Sequence, residues 1–210
     1  MRKVKPWVLP FAVVLALVIV LGSTLAWFTS ASGVLNALRR EPRGTFRIEA
    51  VDVFTPPENP GKGTQNIAKR VGAVNTQDIP GFVRLLVIPT FVTDDGTLLP
   101  AAFGIHVIIN DLNTTHWRYC PSDGYYYYLD ILMPGKSTDI GDLNRNLFNT
   151  LEIAGSLPEE YNGATLKIEI KSEAVNDLKW NYREGWWGSQ APPTDSDLLV
   201  VDNALKVLAR

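Results

Sequence analysis

Along this chain the apolar residues first run together and later alternate. From Trp7 to Leu21 every residue except Pro10 is apolar, behind a cationic start of Arg2, Lys3 and Lys5. The apolar character then continues through Leu25, Ala26, Trp27 and Phe28, with no charge before Arg39. Such a stretch partitions into a bilayer, and two fates are open to it. It is long enough to span a membrane as an uncleaved anchor. Alternatively, Gly22, Ser23 and Thr24 break the run, and Ala26, with Thr24 two positions earlier, supplies the small residues a signal peptidase requires, which predicts cleavage between Ala26 and Trp27. A buried core helix fits poorly, because soluble core helices seldom pair a basic start with so unbroken an apolar run.

After a small-residue, Arg-containing connector, the pattern changes to short segments of strand character separated by Gly, Pro, Asn and Asp. Phe46, Ile48 and Ala50 alternate with Arg47 and Glu49, which predicts a strand with one wet face. Leu166, Ile168 and Ile170 alternate with Thr165, Lys167, Glu169 and Lys171, the cleanest two-residue period in the chain. Residues 82–92 and 103–109 are nearly continuous apolar runs, as expected of strands covered on both faces. Turn residues at 55–64 (TPPENPGKGT), 94–96, 121–124 and 134–138 stop the pairing between them. Leu198, Val201, Leu205 and Leu208 have helical spacing behind Asp195 and Ser196 as caps, which predicts a short C-terminal helix. The reading is an all-β, antiparallel β-sandwich: 1–26 a signal peptide or uncleaved membrane anchor, 27–44 a tether or donor-strand segment, 45–178 the sandwich, and 179–210 a Trp-rich segment and tail.

Composition narrows the partners. Among 210 residues, 20 Lys and Arg face 22 Asp and Glu, a net charge of −2 without the basic footprint of a nucleic-acid binder. Cys120 is the only cysteine, so an intrachain disulfide is excluded and packing must stabilise the fold. Six Trp, seven Tyr and eight Phe suit sheet faces and interfaces alike. Tyr125, Tyr126, Tyr127 and Tyr128 place two rings on each face of a strand, so that one pair packs inward while the other presents its hydroxyl-tipped rings outward. Trp180, Tyr182, Trp186 and Trp187 crowd a Gly-containing stretch whose uses include sugar stacking, subunit contact and plain packing.

Catalytic chemistry finds little purchase. The two histidines, His106 and His116, stand outside any H-E-x-x-H frame and read as structural. Gly61-Lys62-Gly63-Thr64 lacks the first glycine and the strand-to-helix context of a phosphate loop and reads as a turn. Glu159-Glu160 and Asp94-Asp95 lie in polar, turn-like stretches and read as solvated charge. No G-x-S-x-G, C-x-x-C or H-x-E site is present. The expectation is a protein that is not an enzyme and takes no metal or cofactor.

Four blocks carry a resemblance. Residues 71–85 (VGAVNTQDIPGFVRL), 123–128 (DGYYYY) with 132–138 (LMPGKST), 161–175 (YNGATLKIEIKSEAV), and the leader end 22–29 (GSTLAWFT) resemble, in order and spacing, the TasA/camelysin-like exported proteins of Gram-positive bacteria. The matching positions include Asn75, Phe82, Val83 and Arg84, then Asp123, Gly124 and the four tyrosines, then Pro134, Gly135, Ser137 and Thr138, and finally Glu173 and Ala174. The resemblance implies a jelly-roll-like sandwich, a leader cut by a SipW-type signal peptidase just before the aromatic pair, secretion to the cell surface or extracellular matrix, and for several members assembly into fibres of the biofilm matrix or surface filaments. It does not imply one activity: the camelysin branch carries a metallopeptidase label for which this sequence has no ligand set. Residues 30–43 are basic where relatives tend to be acidic and polar, and the Trp-rich segment and tail have no counterpart.

Assembly has a physical route. An open sheet edge presents unpaired N–H and C=O groups that an incoming strand satisfies while its alternate side chains fill pockets. Cleavage after Ala26 frees such a strand, with Trp27, Phe28, Val34, Leu35 and Leu38 as anchors. The competing reading is a membrane-anchored or envelope-associated module that uses its Tyr and Trp blocks on a glycan or protein and does not assemble. An uncleaved anchor would hold each subunit at the membrane and block strand donation. Edman sequencing of the exported protein is expected to begin Trp-Phe-Thr; a chain that retains Met1 or Arg2 counts against cleavage.

Overall fold

The computed structural model describes residues 48–54, 63 and 66–210. The leader, the cleavage site at Thr24, Ala26 and Trp27, the donor segment, Phe46 and most of the 55–64 turn lie outside these residues. No helix among the described residues is long and apolar enough to cross a membrane.

The described chain is all-β with two short helices. The strands are β1 (Ile48–Phe54), β2 (Ile67–Asn75), β3 (Gly81–Val92), β4 (Leu98–Leu99), β5 (Val107–Ile108), β6 (Trp117–Tyr119), β7 (Tyr126–Tyr128), β8 (Phe148–Ile153) and β9 (Thr165–Asn176), followed by α1 (Asn181–Trp187) and α2 (Ser196–Leu205). They form two antiparallel sheets. The first has the order β1-β2-β8-β5; in the second, β3 pairs with β9 on one side and with β7 and β4 on the other, and β6 follows β7. Between the sheets lies one apolar core, with Ile67 and Val71 from β2, Val83, Leu85 and Phe91 from β3, and Phe148 and Leu151 from β8.

Strand β3 organises the second sheet. Its register with β9 runs unbroken from Gly81↔Asn176 to Val92↔Thr165. Two-residue alternation sends Val83, Leu85 and Val87 to the inter-sheet core and Phe82, Arg84 and Leu86 to the opposite face. Pro89 has no N–H to give a ladder, and it falls where β3 has β9 alone as neighbour, between its pairings with β7 at 84–85 and β4 at 91–92.

That opposite face is covered too. Phe82, Cys120, Tyr125, Tyr127 and Val175 pack beneath Tyr182 and Trp186 of α1 and Val201 and Leu205 of α2. Each large apolar side chain so buried contributes on the order of 1.5–3 kcal/mol. The tail expected over 179–210 is therefore a second layer on the sheet, and residue 178 divides element types without dividing the packing. Arg210 turns back to β9's end, donating its N–H to the Asp177 carbonyl (2.9 Å) and accepting from Lys179 N–H (2.7 Å).

The C-terminal helix forms where its spacing predicts. Asp195 caps it, accepting the N–H groups of Asp197 (2.9 Å) and Leu198 (3.0 Å), and Leu208 falls just beyond its end. Two expectations change. Residues 82–92 are covered on both faces only as far as Val87, because the helical layer stops there; Ile88 is 42 % exposed. Residues 103–109 do not form a central strand. Gly104, at φ +80°, turns the chain, and the Ala102 carbonyl accepts N–H groups from His106 (2.9 Å) and Val107 (3.2 Å), leaving a two-residue β5. Phe103 and Ile109 still pack on the core, which accounts for the apolar run.

One close approach is specific to glycine. At Gly72 in β2, a Cβ would collide with Thr138 Oγ1 and Asn146 Oδ1, both on buried, hydrogen-bonded side chains. Gly72→Ala is expected to lower stability by about 1–3 kcal/mol in urea titration; unchanged stability would show that this strand shifts freely.

Candidate functional site

The densest polar cluster is built on β3's outer face. The register sets Arg84 directly opposite Glu173 of β9 and directly opposite Tyr127 of β7, so the three side chains form one row across the sheet. Tyr125 precedes that row by two positions, and Asp123 sits in the turn before β7. Arg84 donates from Nε (2.9 Å) and Nη2 (2.6 Å) to Glu173 Oε2, and from Nη1 to Tyr127 Oη (2.9 Å) and Asp123 Oδ2 (3.3 Å). Its guanidinium lies 3.9 Å over the Tyr125 ring and 5.1 Å from that of Trp186, so aromatic rings complete its surroundings.

Every acceptor in the cluster is occupied. Glu173 also accepts from Tyr125 Oη (2.8 Å) and Lys171 Nζ (2.7 Å); Tyr127 donates to Asp123 and accepts Trp187 Nε1–H (3.1 Å). Burial pushes the Glu173 carboxyl upward, but Lys171, Arg84 and Tyr125 together outweigh it and hold the group below the usual range. Burial opposes the charge on Arg84 as well, and Tyr127 and Glu173 overcome it. The Tyr127 hydroxyl is driven up, first by burial. A carboxylate with its lone pairs committed is neither a free base nor an open ligand position, and chemically this arrangement is a clamp.

A second clamp closes the helical layer. Asp202 of α2 accepts from Arg183 Nε (2.6 Å) and Nη2 (2.9 Å) and from Tyr182 Oη (2.7 Å). Trp180, just before α1, has φ +68°, a left-handed conformation uncommon for a bulky side chain; the Arg183 guanidinium lies 3.9 Å over its ring. A third polar knot ties the end of β2 to the 134–138 turn. Asn75 Nδ2 donates to the Ile79 and Leu132 carbonyls (2.8 Å each), the Asn75 carbonyl accepts Gly135 N–H, and Thr138 Oγ1 accepts Ala73 N–H (both 2.9 Å).

The positions singled out in the sequence thus fall into two groups. Arg84, Asp123, Tyr125, Tyr127 and Glu173 meet in the first clamp; Asn75, Gly135, Ser137 and Thr138 meet at the β2 end, where Ser137 Oγ accepts Asp139 N–H (3.0 Å). Pro134 and Gly135 make the turn itself, Gly124 supplies a positive φ before β7, and Val83 and Ala174 face each other in the core. Tyr126 and Tyr128 point into the inter-sheet core, and Tyr125 and Tyr127 to the other face. That outward pair is not presented to solvent, because α1 covers it. Tyr182 and Trp186 are buried and Trp180 and Trp187 partly so, which places the Trp-rich segment in intramolecular packing. Lys171, expected on a solvated face, enters the first clamp instead. Arg183 and Asp202 were not marked by any motif, being a pair 19 positions apart.

The remaining candidates are structural in their surroundings. The His106 ring stacks on Tyr161, and its Nδ1 accepts Ala102 N–H (3.2 Å). Burial, then Arg145, lowers the pKa of His116. Burial pushes the Cys120 thiol up to about 11. Among the described residues no group of three or more His, Cys, Asp or Glu is placed to hold a metal ion. Comparison with family models, with curated proteins and with solved structures finds no match to this chain.

Arg84→Ala is expected to cost about 3 kcal/mol in chemical denaturation, because it strips Glu173 Oε2 of its partners and leaves Lys171 as the carboxylate's one cation, and Glu173→Gln on top of it should recover part of the loss. Because the Glu173 pKa is lower in the folded state, its contribution is complete above the unfolded-state value of about 4.3 and disappears as pH falls through the lower folded value. The stability gap between wild type and Glu173→Gln should therefore be constant from pH 7 to about pH 5 and close below about pH 4; a gap that widens on acidification refutes the assignment.

Proposed function

We propose that this chain is exported and serves as a structural subunit of extracellular fibres, biofilm matrix or cell-surface filaments. Its subunits share a jelly-roll-like sandwich and join by donation of the N-terminal strand. The observation that carries the reading is the lateral edge of β9. This strand is 12 residues long, and among the described residues it pairs on one side only, with β3. Its inward positions Leu166, Ile168 and Ile170 border the core, it contains no proline, and its outward Lys167 and Glu169 are exposed. Strand β1 lies close beside β9 without pairing with it, so this edge is unpaired though not uncovered, and an unpaired regular edge is a template for another strand.

The segment 27–38 has the composition to use that edge, and a SipW-type peptidase cutting after Ala26 would free it; before the cut, the leader would hold the chain at the membrane. The alternative, a monomeric envelope module whose Tyr and Trp blocks grip a glycan or protein, is weakened because Tyr125, Tyr127, Tyr182 and Trp186 are buried by the chain itself. Purified protein beginning at Trp27 is expected to form filaments visible by electron microscopy, while protein beginning at Thr45 sediments as a monomer. Equal behaviour of the two sinks the proposal.

A further inference from the structure

Strand β6 pairs in its sheet with β7 alone, in a register that sets Tyr119 directly opposite Tyr126. The Cys120 N–H donates to the Tyr125 carbonyl and the Leu129 N–H to the His116 carbonyl. Tyr119 and Tyr126 therefore fall between the hydrogen-bonded positions of this ladder, where facing side chains come closest. Their rings stand side by side, with centroids 4.9 Å apart and planes inclined by 43°. Tyr126 is buried, whereas Tyr119 is 48 % exposed and is the one exposed tyrosine of the chain's seven. Both line a groove of about 190 Å³ that opens beside β6. The hydroxyls of Tyr125, Tyr127, Tyr128, Tyr161 and Tyr182 are held in hydrogen bonds, while those of Tyr119 and Tyr126 make none among the described residues.

We propose that Tyr119 and Tyr126 are a site of oxidative coupling, joined within one chain by a carbon–carbon bond between their rings when hydrogen peroxide and a haem peroxidase act on the protein. In a coupled pair the centroids lie two ring radii and one bond apart, about 4.3 Å, and the planes are twisted by about 40°, so these rings need close by only about 0.6 Å. Tyr119, reached from water and from the groove, gives up the first electron, and its phenolic proton passes to solvent. Burial, then Tyr119, pushes the Tyr126 hydroxyl up to about 12, so Tyr126 is a full phenol at neutral pH and passes an electron and a proton to the Tyr119 radical. A second one-electron oxidation of Tyr119 leaves a radical on each ring. The two couple at the ring carbons next to the hydroxyls, and the hydrogens on those carbons move to the oxygens, which restores both phenols. One C–C bond forms, two hydrogens leave, and one peroxide takes up the two electrons and two protons as its O–O bond breaks to give two waters. The new bond fastens β6 covalently to its one neighbour in the sheet. It does not depend on strand donation, so it stands or falls separately from the assembly reading.

Treatment of the purified protein with hydrogen peroxide and a haem peroxidase tests the assignment, read by intact mass, dityrosine fluorescence and tryptic mapping. The expected product is a monomer about 2 Da lighter that fluoresces in the blue, with the loss confined to peptide 119–136, which trypsin releases by cutting after Arg118 and Lys136. Tyr119→Phe and Tyr126→Phe each keep the ring and remove the phenol, and each is expected to lower the fluorescence of the monomer at least tenfold. Thermal melting of both variants separates a lost coupling from a lost fold, and mapping of the unaltered protein tests the site without any substitution. Absence of dityrosine, a product found chiefly as a covalent dimer, a mass loss outside 119–136, or a monomer signal that survives either substitution overturns the proposal.

Discussion

A guanidinium held on the outward face of a sheet sets a demand that the rest of this molecule answers. Arg84 stands mid-row on β3, where bare alternation would leave it in water. With α1 laid over it, its charge needs both a counter-ion and a full set of acceptors. The registers of β7 and β9 deliver these, with Tyr127 on one side and Glu173 on the other, and the turn before β7 brings Asp123. Slipping either neighbour by one residue would turn its partner to the opposite face, so the ion pair and the strand registers specify one another.

The aromatic rings make that polar row compatible with an apolar layer. Tyr125 and Trp186 offer π faces to the guanidinium, and Tyr127 offers both a ring to Trp186 and a hydroxyl to the network. The result is a sheet buried on two sides for half its length. One side meets the other sheet across aliphatic side chains; the other meets helices through aromatic and charged ones. Where the helices end, near Ile88, the sheet returns to the ordinary one-sided condition.

Much of this was legible from patterning. β9 followed from the alternation of Leu166, Ile168 and Ile170, β3 from its apolar run, and α2 from leucine spacing behind Asp195. What could not be read is long-range. Nothing local marks Arg183 as the partner of Asp202, and an aromatic cluster has the same appearance whether it faces water or a sheet. The 103–109 run misled because apolar content reports burial and not hydrogen-bond geometry; Gly104 and the Ala102 carbonyl make a turn of it. For the motif positions, a shared order in sequence held no hint that Arg84 and Glu173, 89 residues apart, would touch. The antiparallel return of β9 onto β3 is what joins them.

The position of Cys120 has a practical meaning. It is the chain's single thiol, and it lies within the layer sealed by α1 and α2. A side chain there reacts with an alkylating reagent only when the cover lifts, because in the closed layer burial both excludes the reagent and keeps the thiol protonated. The protein therefore contains its own clock for the separation of helices from sheet: the rate at which Cys120 becomes modified under native conditions counts openings of that layer, without a label having to be added.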